Sequence, residues 1–160
     1  MDDRRLADFL HVNSLKFDRQ LGFGIHGKVF SVNSPGFPAP VALKIFDDDA
    51  PFERELAVFQ RLGQLSISRI GKFQVPALLR HDPDRSIILM TLVQRPFCLD
   101  FASAYLDELP PWFPPFDEAW HAEKEAQFGA DDWPEVLAAV RELESLGILQ
   151  TDVSPSNIAV

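Results

Sequence analysis

The chain has 160 residues, 46% of them hydrophobic and 24% charged, with a net charge of −9; this composition can bury one compact core and excludes an intrinsically disordered chain. The negative balance opposes a phosphate backbone, so nucleic acid is not expected as a partner, and a basic partner or substrate is accommodated more easily. No run of eighteen apolar residues and no basic-then-apolar start is present, the lone Cys98 cannot form an internal disulfide, and His and Cys lack zinc-ligand spacing, so the expectation is a cytoplasmic protein without membrane or zinc.

In chain order, Asp2 to Val12 carries Leu6, Phe9, Leu10 and Val12 at helical spacing, which predicts a short amphipathic helix that docks on the remainder of the chain. From Lys16 to Val32 apolar residues surround three glycines. A turn-forming stretch, Asn33 to Pro40, then precedes the apolar run Val41 to Phe46, so three strands are predicted. Acids and an early proline (Asp47, Asp48, Asp49, Pro51) mark the start of a helix with Phe52, Leu56, Phe59 and Leu62 on one face and Gly63 as its stop. Two further strands are expected at Phe73 to Leu79 and Ile87 to Val93, separated by a turn over His81-Asp-Pro-Asp84.

The stretch Asp107 to Pro134 holds two Pro-Pro pairs and all three tryptophans, predicting an irregular aromatic surface around one short helix. Trp112, Trp120 and Trp133 are expected to pack in or beside the core, with a peptide-docking surface as the alternative. Asp132 is predicted to cap a second helix with Pro134 in its first turn and an apolar stripe of Val136, Leu137, Val140, Leu143 and Leu146, ended by Gly147. Cys98 is expected to be a small buried hydrophobe, His26 an exposed turn residue, and the Asp47 to Asp49 acids partners of the helix dipole.

Three blocks carry chemistry. Leu21-Gly-Phe-Gly-Ile-His-Gly-Lys-Val-Phe30 has glycines 22, 24 and 27 in G-x-G-x-x-G spacing, followed by a β-branched and aromatic segment that predicts a second strand rather than a helix. Val41-Ala-Leu-Lys44 comes next, then a helix offering Glu53 and Glu55; the third block is Leu146-Gly-Ile-Leu-Gln-Thr-Asp-Val-Ser-Pro-Ser-Asn-Ile-Ala-Val160. Together they resemble the protein-kinase-like superfamily: a glycine-rich hairpin, a V-A-I-K strand, and a catalytic loop with Asp and Asn at family separation. Ser154 in place of the usual lysine is similar to the atypical RIO-type kinases.

The resemblance spans Phe17 to Val160 and implies an α+β fold: a five-stranded antiparallel N-lobe sheet with an αC-type helix, plus a truncated, mainly helical C-lobe portion. It divides the chain into an N-terminal helical extension (1–15), an N-lobe (16–94) and a partial C-lobe (95–160). It further implies ATP under Gly22, Gly24 and Gly27, with Val29 and Ala42 beside the adenine and the backbone near Leu92 bonding to it. Lys44 would hold the phosphates, paired with Glu55 or, as the alternative, Glu53. Asn157 would hold Mg2+, and Asp152 would accept the substrate hydroxyl proton.

Gln150 and Thr151 replace the family's histidine and arginine, so loss of a hydrogen-bonding hub and of control by activation-loop phosphorylation is expected. A D-F-G segment, carrying the second metal-binding acid, is expected after the asparagine, and the sequence reaches Val160 without one in that place. The implied function is therefore ATP binding with phosphoryl transfer to a protein or small-molecule hydroxyl, as in a serine/threonine kinase, weak or absent in the chain alone. The alternatives are a catalytically dead pseudokinase-type interaction module, or half of a split kinase completed by a partner. The stripe Val136 to Leu146 is expected to need a cover, from the tryptophan-rich segment, a second copy of the chain or a protein partner.

Overall fold

The computed structural model describes residues 4–24, 26–94, 96, 98–114 and 116–160. Met1, Asp2, Asp3, Ile25 and Pro115, which fall within the N-terminal segment, the glycine loop and the proline-rich stretch, lie outside the described residues, as do Arg95 and Phe97.

Helix α1 (Arg4–Val12) is followed by β1 (Lys16–Gly24), β2 (Gly27–Asn33) and β3 (Val41–Phe46), then α2 (Asp49–Gln64). Next come β4 (Arg69–Ile70), β5 (Phe73–Gln74), β6 (Leu78–Asp82), β7 (Ile87–Thr91), β8 (Cys98–Leu99) and β9 (Ala104–Leu106). Helices α3 (Glu118–Phe128) and α4 (Trp133–Ser145) precede β10 (Ile148–Gln150) and β11 (Ile158–Ala159). The molecule is thus mixed α+β. Its main sheet has five antiparallel strands in the order β1-β2-β3-β7-β6.

Strand alternation decides what each sheet face meets. Val41, Leu43 and Ile45 of β3, with Ile87 and Leu89 of β7, form one cluster with Leu6, Phe9 and Leu10 of α1. Ala42 and Phe46, with Ile88 and Met90, turn to the other face, into a core that continues through α2 and α4 to Ile158. The amphipathic stripe of α1 is therefore three residues wide, and Val12, which shares its helical spacing, is 73% exposed.

Two small sheets complete the frame: β9 pairs with β10, and a second ribbon runs β11-β8-β5-β4. These short ladders correct the expected strand at Phe73 to Leu79. Phe73 and Gln74 join the ribbon, Pro76 lacks the N–H that a continuous ladder requires, and the main-sheet strand starts only at Leu78. That strand runs on through His81 and Asp82, so the turn falls at Pro83–Arg85, where Asp82 Oδ1 accepts from Arg85 N and Ser86 adopts a left-handed φ of 51°. At its other end, β7 stops at Thr91 rather than Val93.

Gly63 does not stop α2. The reversal comes at Ser66, φ 55°, with Ile67 N bonding back to Leu62 O. Asp132 precedes α4 but makes no side-chain capping bond; its carbonyl accepts from Glu135 and Val136 instead. Asp117 does cap α3, through Oδ1 to Trp120 N.

The α4 stripe needs no outside cover. Val136, Val140 and Leu143 are buried within the chain's own core, with Leu137 and Leu146 partly buried against it. Of the three covers expected, the tryptophan-rich segment supplies one: α3 packs there together with β4, and Phe128 stacks on Trp133 at 6.0 Å. Among the tryptophans, Trp133 is buried, Trp120 half-buried and Trp112 69% exposed, so only Trp133 is a core residue.

Candidate functional site

Between the inner face of the main sheet and the two small sheets lies a cavity of about 550 Å³, a volume within the range of small-molecule sites. Its roof is the β1–β2 hairpin. Gly24 pairs with Gly27 at the tip, and Gly22, Gly24 and Gly27 all line the cavity. Gly27 is needed there: its φ is 142°, and a Cβ would overlap the Ile45 carbonyl oxygen, so the hairpin lies against β3 with no room for a side chain. Val29, Ala42, Met90 and Leu92 supply an apolar wall.

Lys44 comes from the strand that makes this wall. It is only 6% exposed, and Nζ donates to Glu55 Oε2 at 2.6 Å. Register explains the pairing: Lys44 alternates with the α1-facing residues of β3, while Glu55 lies on the face of α2 that carries Phe52 and Phe59 inward. Glu53 is exposed and points elsewhere. Burial pushes the Glu55 carboxyl up to about 7, against the opposing pull of Lys44. Burial would lower Lys44, but the Glu55 and Asp100 carboxylates outweigh it and hold the ammonium charged. Glu55 is thus the member of the pair that yields as pH falls.

The floor is built by the small sheets. β10 delivers Asp152, and Asn157 Nδ2 donates to Asp152 Oδ2 at 2.7 Å and to its carbonyl at 3.1 Å, so the two residues share one tight loop. β11 then pairs with β8, Ile158 opposite Leu99, and Asp100 N donates to Asn157 O at 2.8 Å. Asp100 therefore enters the same cavity beside Asn157, with Oδ1 3.9 Å from Lys44 Nζ.

Asp100 is the site residue that motif order in the sequence does not find. Its signal is Asp100-Phe101-Ala102, the D-F-G pattern with alanine for glycine, but it stands ahead of the Asp152 loop rather than behind it. The ladders β8–β11 and β9–β10 cancel that difference in order by bringing both segments side by side.

Three expectations change here. Gln150 is buried, and Nε2 donates to the Asp100 carbonyl at 2.7 Å, tying the two loops, while its Oε1 is buried without a hydrogen-bond partner among the described residues. Thr151 makes a parallel tie from Oγ1 to Ser103 O at 2.7 Å. His26 is half-buried and lines the cavity; burial lowers its pKa, with the nearby Arg54 and Lys44 cations adding to the effect and Asp48 and Asp100 opposing it. Cys98 is likewise half-buried on the cavity wall rather than sealed in the core. Asp49 accepts from Ser86 Oγ at 2.6 Å, a local structural bond away from the floor acids.

The donors gathered are a paired ammonium, two carboxylates and an amide oxygen, around a space with one apolar wall. Hard oxygen donors of this kind suit Mg2+. Among the described residues no three His, Cys, Asp or Glu side chains converge as a metal cluster. No described helix is long and apolar enough to cross a membrane. Compared with known proteins, the sequence matches no family model and no curated protein.

Proposed function

We propose that this chain is a protein-kinase-like nucleotide-binding domain that takes ATP with Mg2+ and transfers its terminal phosphoryl group to a hydroxyl. One observation carries the reading: a buried Lys44–Glu55 pair, 2.6 Å long, beneath a glycine hairpin and facing Asp100, Asp152 and Asn157 across one cavity. Burying an ion pair costs more than packing two hydrophobes of the same volume, so its presence in a cavity wall is better explained by a ligand than by stability.

The division of labour follows from position. Val29, Ala42, Met90 and Leu92 offer a flat apolar slot for a purine. Lys44, fixed by Glu55, offers its remaining N–H donors to phosphate oxygens. Asp100 and Asn157 are the residues that would hold the cation, which when bound neutralises phosphate charge. Asp152, exposed at the cavity edge and held by Asn157, is positioned to accept the proton of an acceptor hydroxyl. With Asp100 in this group, the second acid expected after the asparagine has a counterpart ahead of it, and the reading moves from a degenerate binding module toward a complete site. The interaction-module alternative invoked the α4 stripe or the aromatic insert; Val136, Val140 and Leu143 of the stripe are buried, while Trp112 of the insert is exposed.

The test is thermal unfolding and calorimetry with and without Mg2+-ATP. A ligand that binds only the folded state at 100 times its Kd stabilises by about 2.7 kcal/mol, and Lys44→Met removes the shift. Asp152→Asn retains the shift and loses phosphoryl transfer measured with labelled ATP. Wild-type protein whose melting ignores Mg2+-ATP at millimolar concentration refutes the proposal.

A further inference from the structure

The Lys44–Glu55 wall of the cavity and its floor come from distant parts of the chain, and the Arg61 guanidinium ties α2 to the strands that carry the floor. Arg61 lies on α2 beyond Glu55. Its Nη1 and Nη2 donate to Asp107 Oδ1 and Oδ2 at 2.6 and 2.7 Å, a two-pronged fork. The same Nη1 reaches the carbonyls of Leu146 and Gly147 at 3.4 and 3.3 Å. Asp107 immediately follows β9, and Gly147 immediately precedes β10.

The backbone at this junction is built for close approach. Asp107 N donates to Gly147 O at 2.8 Å. Asp107 holds a left-handed φ of 64°, a conformation that aspartate tolerates better than most side chains. Gly147 is also left-handed, φ 73°, and a Cβ there would overlap the Asp107 carboxylate and the Arg61 guanidinium. Three segments thus meet at a charged fork whose tips fill the space a Cβ at 147 would take.

From that point two spars run to the cavity. Along α2, Arg61 back to Glu55 covers about 9 Å at the helical rise. Along the β9–β10 ladder, Leu106 opposite Ile148 leads to Ala104 opposite Gln150, about 7 Å of strand, and then to Ser103 and Thr151 beside Asp152. α2 packs along β9 over this length. The two spars have similar length, and both start from the fork.

We infer that Arg61 and Asp107 are positioning residues for the nucleotide cleft: their fork, seated on Gly147, sets the spacing between the Lys44–Glu55 wall and the Asp100–Asp152 floor. The inference rests on the proposed nucleotide site for its consequence, but not for its geometry. Asp107 is exposed and Arg61 half-buried, and an ion pair open to solvent on one side contributes modestly to overall stability. Its effect is therefore on spacing, which matters where a shift of about 1 Å in a reacting group costs on the order of a hundredfold.

The experiment uses the full chain and two readouts. One is the Kd for Mg2+-ATP by calorimetry at a temperature where every variant is folded. The other is the labelling rate of Cys98, the only cysteine, which lies on the cavity wall and reports cleft opening without nucleotide. Arg61→Ala and Asp107→Asn are expected to weaken nucleotide binding about tenfold and to speed Cys98 labelling severalfold, with Arg61→Lys intermediate because it keeps the charge and loses the fork. Gly147→Ala, which keeps both charges but prises them apart, should reproduce the effect. Variants that melt earlier while keeping wild-type Kd and labelling rate would show a purely structural bridge and overturn the inference. Should wild type itself bind no nucleotide, the proposed function fails, and the Cys98 rate alone decides the fork's role.

Discussion

The two faces of strand β3 in the main sheet are equally buried and chemically opposite. Every residue of β3 from Val41 to Phe46 is buried. On the α1 side Val41, Leu43 and Ile45 meet only hydrocarbon; on the other side Ala42 leaves space and Lys44 carries charge into the interior. Burial alone does not separate scaffold from site on this strand. What separates them is whether the side chain chosen is the cheapest one for its environment: leucine at 43 is, lysine at 44 is not.

The largest expected effect breaks the contrast by making both faces apolar. In Lys44→Met combined with Glu55→Leu, the buried pair is replaced by hydrophobes of similar volume, a change that is neutral or stabilising by roughly 1–4 kcal/mol when packing is kept. The double variant should melt no lower than wild type while calorimetry detects no Mg2+-ATP binding at all. If it unfolds, or still binds nucleotide, the pair is part of the scaffold and the two faces are not different in kind.

The next effect in size falls on the scaffold face. Leu43→Ala removes a fully buried side chain from the α1 interface and should cost about 2–5 kcal/mol in denaturant unfolding. Nucleotide affinity measured in the folded state should stay at the wild-type value, because nothing on the cavity side moves. A Leu43→Ala protein of wild-type stability would mean that α1 is not sealing that face.

Much of this arrangement is legible in the sequence. The helical spacing of Leu6, Phe9 and Leu10, the β-branched run after Gly27 and the two-residue alternation through Lys44 each extend over enough residues for a period to show. Glu55 can also be chosen over Glu53, and the structure pairs Glu55 with Lys44. The Asp152–Asn157 loop of the floor can be read from its motif, but the ladders that carry the floor cannot, for a physical reason. β8, β9, β10 and β11 are two or three residues long, too short to display any period, and they are held by pairing between segments some fifty residues apart. Asp100 escapes notice because chain order is a poor guide to spatial order: hydrogen-bonded ladders fix neighbours regardless of which segment comes first. The polarity of His81 and Asp82 suggests a turn, although on an edge strand polar side chains face water without disturbing the ladder.

The smallest effect sharpens the contrast through pH. Burial raises Glu55 from its ordinary 4.5 to about 7, so between those values the folded chain holds a proton that the unfolded chain has released. That contribution to stability is full below about pH 4.5 and is lost as pH rises through about 7. Lys44 is raised above its ordinary value by Glu55 and Asp100 against burial; its contribution is present below that value and fades only in alkali, leaving the neutral range to Glu55. Nucleotide binding runs the other way, because the ion pair that orients Lys44 exists only when Glu55 is ionised. With the competent fraction set by that ionisation, Kd for Mg2+-ATP should weaken about tenfold from pH 8 to pH 6, while the apo protein's Glu55-dependent stability increases over the same interval. Glu55→Gln should flatten both trends at once. If the variant keeps the wild-type pH dependence of affinity, another group governs the cleft and the buried pair is not its switch.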